Sequence, residues 1–200
     1  MIGFVKTYIQ DSIQTKQLIL NDANTVEKIN NIAGVIVEAY KRGNKVLLAG
    51  NGGSAADAQH IAGELVSKFY FDRPGLSAIA LTVDTSILTA IGNDYGFEKV
   101  FSKQIQANGV EGDVFIAIST SGNSKNLVEA IKEAKIKGII TVSLIGKKEC
   151  EMDNLCDYQV KVPSFETPKI QESQIMIGHI ICAIIEKELF GGNLAKGAQG

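Results

Sequence analysis

Apolar residues recur at helical spacing through the first forty positions. Phe4, Ile9, Ile13 and Leu20 mark one stripe, and Val26, Ile29, Ile32, Ala33, Ile36, Val37 and Tyr40 mark a second. The pattern predicts two helices, the second capped by Asp22 or Asn24. The rhythm then changes. Short runs rich in Val and Ile at 45–50, 77–82, 113–119, 138–144 and 157–162 predict strands. Segments at 54–69, 97–107 and 124–137, and a long one from Lys169 to Leu189, keep the helical period. Strands that are apolar almost throughout, alternating with helices, imply a parallel sheet covered on both faces. The expected fold is α/β: a three-layer αβα sandwich around a doubly wound, five-stranded parallel sheet, with extra helices at the N-terminus. No repeat, low-complexity tract or Pro-rich linker divides the chain. Residues 1–200 therefore read as one domain, with 1–42 helical and an αβα core over 43–190.

Composition narrows the class. A hydrophobic fraction of 45% with 21% charged residues suits a well-packed globular protein. The net charge is −2 and Lys and Arg are scattered, so no basic stripe points to nucleic acid. Lys6, Asp11 and Lys16 interrupt the first turns and remove the apolar core that a secretion signal needs. The run IMIGHIICAII is too short to span a membrane and carries His179. Cys150, Cys156 and Cys182 are odd in number and lack CxxC spacing, which reads as reduced thiols in a cytoplasmic protein. Neither nucleic acid nor membrane is expected as a partner.

A doubly wound sheet binds ligands at the carboxyl ends of its strands, which selects three loops. The first strand runs into GNGGS (50–54), where glycines permit close backbone approach and Ser54 can cap the next helix. It is neither GxGxxG nor a Walker loop, and a plain βα turn is an equal reading. STSGNS (119–124) places four hydroxyls at a predicted helix N-terminus, more than capping requires, and favours an anion such as phosphate. IGNDYGF (91–97) holds Asn93 and Asp94 between glycines, as a ligand loop or a simple turn would.

The chain has two histidines. His60 and Glu64 are four residues apart on a predicted helix, so they share a face, whether as a solvated pair or as part of a site. Their helix leaves GNGGS, and a position near its start places them by the ligand edge. His179 shares a helix with Gln171, two turns earlier on a similar face. If the two helices converge, His60, Glu64, Gln171 and His179 bring together two imidazoles, a carboxylate and an amide oxygen. That set suits a divalent metal or acid–base chemistry.

Taken together, GNGGSAADAQHIAGEL, RPGLSAIALT, IGNDYGF, EGDVFIAISTSGNS, IQE (170–172) and His179 resemble the sugar isomerase (SIS) family over essentially the whole chain. The similarity is to the branch that isomerises sedoheptulose 7-phosphate. It implies the flavodoxin-like SIS fold and conversion to D-glycero-D-manno-heptose 7-phosphate, an early step towards ADP-heptose and lipopolysaccharide core. By the same resemblance, Asn51, Gly52, Gly53, Glu64, Asn93, Asp94, Ser119, Thr120, Ser121, Ser124 and Gln171 contact the sugar phosphate. Glu64 and His179 are the implied acid–base pair, and His60, Glu64, Gln171 and His179 the implied ligands of one zinc ion. The resemblance also implies a homotetramer with active sites at subunit interfaces, the N-terminal helices serving oligomer packing. Pro168 departs from the pattern, since some relatives carry an acidic residue there. The competing expectation within the family is a non-catalytic protein that binds a sugar phosphate or the replication initiator. The joint presence of Glu64 and His179 favours the enzyme.

Overall fold

The computed structural model describes residues 1–197. Two helices, α1 (Ile2–Asn21) and α2 (Ala23–Lys41), precede β1 (Val46–Gly50), α3 (Gly53–Val66) and β2 (Ala78–Ala80). Then come α4 (Thr85–Tyr95), a 3₁₀ turn at Phe97–Lys99 and α5 (Ser102–Asn108). The remainder is β3 (Val114–Ser119), α6 (Lys125–Ile136), β4 (Ile140–Gly146), β5 (Tyr158–Val162) and α7 (Thr167–Gly197). The five strands form one parallel sheet in the order β2-β1-β3-β4-β5.

Strand alternation divides the core in two. Val46, Leu48, Val114, Ile116, Ile118, Val142 and Leu144 face a layer made by α1, α2, α3 and α7. Leu47, Ala49, Phe115, Ala117 and Ile145 face α5 and α6, with Leu88 and Ile91 of α4 at the margin. Side chains on a strand point alternately to opposite faces, so a strand that is apolar at every position feeds both layers. All of β1 and β3 is buried, as that argument requires.

Several elements differ from the periodicity reading. The segment after β2, where the glycines around Asn93 and Asp94 suggest a loop or turn, is a helix, α4. Asp84 caps it by accepting from Ile87 N–H, and Ile87, Leu88 and Ile91 give it an apolar stripe. The stretch at 97–107 is a 3₁₀ turn followed by the shorter α5. β4 starts two residues later than its apolar run. Gly138 has φ of 69°, with its N–H bonded to Lys135 O and the Ile139 N–H bonded to Ala134 O. That is a Schellman closure of α6, and it assigns Gly138 and Ile139 to the helix end. The second predicted helix stands as read, with Asp22 as its cap. Among the described residues, no helix is long and apolar enough to cross a membrane.

Candidate active site

The strand order reverses between β1 and β3, because β1 leads outward to β2 while β3 leads to β4 and β5. That switch point opens a crevice at the carboxyl ends of adjacent parallel strands. The loops 50–53 and 119–124 flank it, and a reciprocal amide pair joins them. Asn51 Nδ2 donates to Asn126 Oδ1 at 2.9 Å, and Asn126 Nδ2 donates to Asn51 Oδ1 at 2.8 Å. The Asn51 side chain thus braces one loop against the other. Gly52 is the N-cap of α3, and Ser54, expected to cap it, is a buried residue of the first turn.

The hydroxyl loop is folded back on itself. Ser119 Oγ accepts from Gly122 N–H at 3.0 Å and lies 3.3 Å from Ser124 Oγ. Ser121 Oγ accepts from Asn123 N–H at 3.2 Å. Ser124 holds the N-cap position of α6 without a side-chain capping bond. Thr120 is half-buried and Ser121 exposed at the mouth. Behind the loop, the buried Gln174 of α7 donates to Ser119 O and Leu144 O. Hydroxyls and helix N–H groups at one strand end form a cradle for an anion.

α3 and α7 run side by side in the same direction. Near their starts, Gly53 lies against the Gln171 amide so closely that a Cβ would overlap it. Further along, a Cβ on Gly178 would come within 2.5 Å of Ile61 Cδ1. This close crossing lets the two histidines meet, with His60 Nε2 and His179 Nε2 2.8 Å apart. Glu64 Oε1 stands 3.3 Å from His60 Nε2. Donor atoms of His60, Glu64 and His179 all lie within 4.8 Å of one another. The sequence-level condition that the helices converge is met in the structure. The cluster sits in the second half of α3, however, not near its start. The helix carries it about 10 Å away from Gly53 at ~1.5 Å per residue.

Gln171 lies two turns before His179, and its amide sits over Gly53 beside Asp57 rather than at the histidines. Asp57 is buried, and burial raises its pKa against the opposing effects of Gln171 and His60. Asn93 and Asp94 occupy the last turn of α4, exposed and bonded to each other at 2.8 Å. Among the described residues they make no hydrogen bond to the other candidates.

Two imidazole nitrogens and a carboxylate oxygen, half-open to solvent, form a donor set that zinc favours. The residues fit the ion. Without the ion, one imidazole donates to the other through Nε2, so the tautomer of His60 governs that of His179.

Beneath the cluster lies a group that pattern reasoning passed over. Arg73 and Glu186, with side chains 2% and 1% exposed, pair at 3.1 Å. Burial pushes the Glu186 carboxyl up, but the N–H groups of Phe69 and Tyr70 together with Arg73 outweigh it and hold its pKa below the usual range. Asn126, Asp57 and this ion pair lacked any periodic signal. Only RPG after a helix and a glutamate seven residues beyond His179 hinted at the pair.

Comparison with known proteins gives the family. Residues 7–146 match the SIS domain family. The phosphoheptose isomerase of Aneurinibacillus thermoaerophilus is 62% identical over 190 residues, covering 95% of this chain and 96% of that one. Phosphoheptose isomerase 2 of Campylobacter jejuni is 62% identical over 189 residues, covering 94% of each chain. A solved phosphoheptose isomerase from Francisella tularensis superposes with a TM-score of 0.89 at 36% identity, over 93% of this chain and 98% of that one.

Proposed function

The chain belongs to the SIS domain family, among the phosphoheptose isomerases, and from that premise we propose how its own residues carry the reaction. It isomerises D-sedoheptulose 7-phosphate to D-glycero-D-manno-heptose 7-phosphate, a ketose-to-aldose conversion. The observation that carries the residue assignment is the meeting of His60, Glu64 and His179 along the helix that leaves the switch-point crevice.

The phosphate is held by the cradle of Ser119, Thr120, Ser121 and Ser124, at the N-terminus of α6. Asn51, Gly52, Gly53 and Gln171 line the crevice between that cradle and the cluster, and Asn93 and Asp94 supply polar contacts from α4. The open-chain sugar extends along α3 and brings C1 and C2 to Glu64 and His179. The Glu64 carboxylate removes the C1 proton, giving a cis-enediol(ate), and delivers it to C2. His179 moves the proton between O2 and O1, its ring oriented by the hydrogen bond to His60. General acid–base steps of this kind each contribute typically about 10²–10⁴-fold.

His60, Glu64 and His179 would hold one zinc ion; the Gln171 amide, which the resemblance makes a fourth ligand, lies over Gly53 and is not at that cluster. The ion's contribution there is Lewis-acid polarisation of the sugar oxygens.

The assembly we propose is a homotetramer with sites at subunit interfaces. Its support is the apolar surface of the single chain. Phe4, Ile9 and Ile13 of α1 are exposed at 73%, 53% and 59%. Towards the end of α1 a cavity of about 460 Å³ is lined by Ile19, Val26, Ile29, Met176 and Ile180, among others. The three cysteines are free, consistent with a cytoplasmic role in the supply of ADP-heptose.

Incubation with sedoheptulose 7-phosphate in D₂O, followed by NMR, tests the reading. Aldose anomeric signals are expected, and any deuterium at C2 reports how far the proton on Glu64 exchanges with solvent before it is returned. A folded protein that yields no aldose overturns it.

A further inference from the structure

We propose that the buried Arg73–Glu186 pair is a positioning clasp for the acid–base pair, fixing the end of α3 that carries Glu64 against the helix that carries His179. The proposal rests on the isomerase reading above. Each half of the clasp is attached to one half of the chemistry. Arg73 Nη2 donates to Glu64 O at 2.8 Å, and Nη1 donates to Leu65 O at 2.7 Å and Pro74 O at 3.1 Å. Glu186 lies seven residues after His179 on α7, two turns along the same face.

The carboxylate is saturated by backbone as well as by Arg73. Glu186 Oε1 accepts from Phe69 N–H at 2.9 Å and Oε2 from Tyr70 N–H at 2.7 Å. This holds the segment after α3 so that the Phe69 ring packs 5.7 Å from the His179 ring. The clasp therefore touches Glu64 through its main chain and His179 through both its own helix and Phe69.

Two physical points argue for a role beyond stability. Carbonyls in the last turn of a helix usually turn to solvent or to a glycine-closed motif, whereas here two of them converge on one guanidinium. A buried ion pair is also weak evidence for stability, since well-packed apolar residues of similar volume do as well or better. What an apolar pair cannot supply is the fork of directed donors that sets the register of one helix end against another. Of the fastenings between α3 and α7, this one lies below the reacting groups, opposite the contacts at Gly53 and Gly178.

The test compares the wild type, Glu64→Gln, Arg73→Lys and the double variant Arg73→Met/Glu186→Leu. Each is measured for melting temperature and for kcat and KM with sedoheptulose 7-phosphate. The double variant leaves no unpaired charge, so it is expected to fold, with a melting temperature lowered by the backbone groups of Phe69, Tyr70, Glu64 and Leu65 that lose their partners. Its kcat is expected to fall by about 10²-fold, the scale of an ångström of misplacement at a reacting centre, with KM within about threefold because the phosphate cradle is untouched. Arg73→Lys keeps the charge but loses the fork, and its kcat falls in the same direction. It supplies the measurement should the double variant not fold. A folded clasp variant with wild-type kcat overturns the proposal. A wild type without turnover instead overturns the isomerase reading, and a fully active Glu64→Gln removes Glu64 as the base that the clasp positions.

Discussion

Glu64 and His60 keep 25% and 49% of their side chains open to solvent, and neither forms part of the hydrophobic core. Changes there therefore act on chemistry more than on folding. Glu64→Gln and His179→Gln should each lower kcat by at least about 10²-fold, with circular dichroism and melting temperature near those of the wild type. Near-wild-type turnover in either variant would remove that residue from the mechanism. Zinc is testable at the same scale. An ion that binds only the folded chain raises its stability by mass action. Chelation should lower both turnover and melting temperature, and added zinc should restore them. If chelated protein keeps full activity, the ion is not required for turnover.

At the scale of elements, the meeting of α3 and α7 depends on a missing side chain. Gly178 lets Ile61 pack directly on the α7 backbone, and His179 next to it reaches His60. Gly178→Ala should force the helices apart, with a stability loss of about 1–3 kcal/mol and a drop in kcat as the 2.8 Å approach opens. Adding Ile61→Ala removes both atoms that a new Cβ would strike, Cδ1 and Cγ1. The pair should recover most of the loss in kcat, though not the stability that the buried Ile61 contributes, and equal kcat in the single and double variants would show that the crossing is not the cause. The loops are similarly interdependent. The Asn51–Asn126 pair couples the first ligand loop to α6, so a change at either asparagine moves both walls of the crevice.

Across the whole molecule, depressed carboxyl pKa values set the response to acid. Burial pushes Asp113 up, but Lys45 and the N–H groups of Val110 and Lys45 outweigh it and hold it low. Glu129 is brought to about 2 by Lys132 and Lys99, and Glu186 is lowered as described. A carboxyl depressed on folding contributes stability that is fully present above its unfolded pKa, near 4, and is lost as pH falls through the folded value. Urea midpoints should therefore fall steadily from about pH 5 to pH 2, with the raised Asp57 opposing the trend weakly. A flat profile over that window would contradict the account. The exposed stripe of α1 makes a second prediction at this scale. Light scattering should find four chains in the wild-type particle and fewer in Ile9→Glu, because burying an isoleucine is worth about 1.5–3 kcal/mol per copy.

The sequence by itself determined the α/β class, the parallel sheet and the loops worth examining. Continuous apolar strands, helical periods and a hydroxyl-rich helix start are local patterns, and burial on both faces leaves such strands little alternative. Asp22 as a cap and the STSGNS loop were legible for the same reason. Local pattern did not extend to α4, whose short apolar stripe was masked by the glycines around Asn93 and Asp94, nor to β4, where Gly138 closes a helix instead of opening a strand. Tertiary structure alone decided that α3 and α7 run parallel and touch at Gly178. It also decided that Gln171 sits over Gly53, that Asn51 pairs with Asn126, and that Arg73 and Glu186 lie beneath Glu64 and His179. These are contacts between residues about 75 to 120 positions apart. Periodicity reports only which face of its own element a residue occupies, so pairings at that separation exist only once the elements have packed.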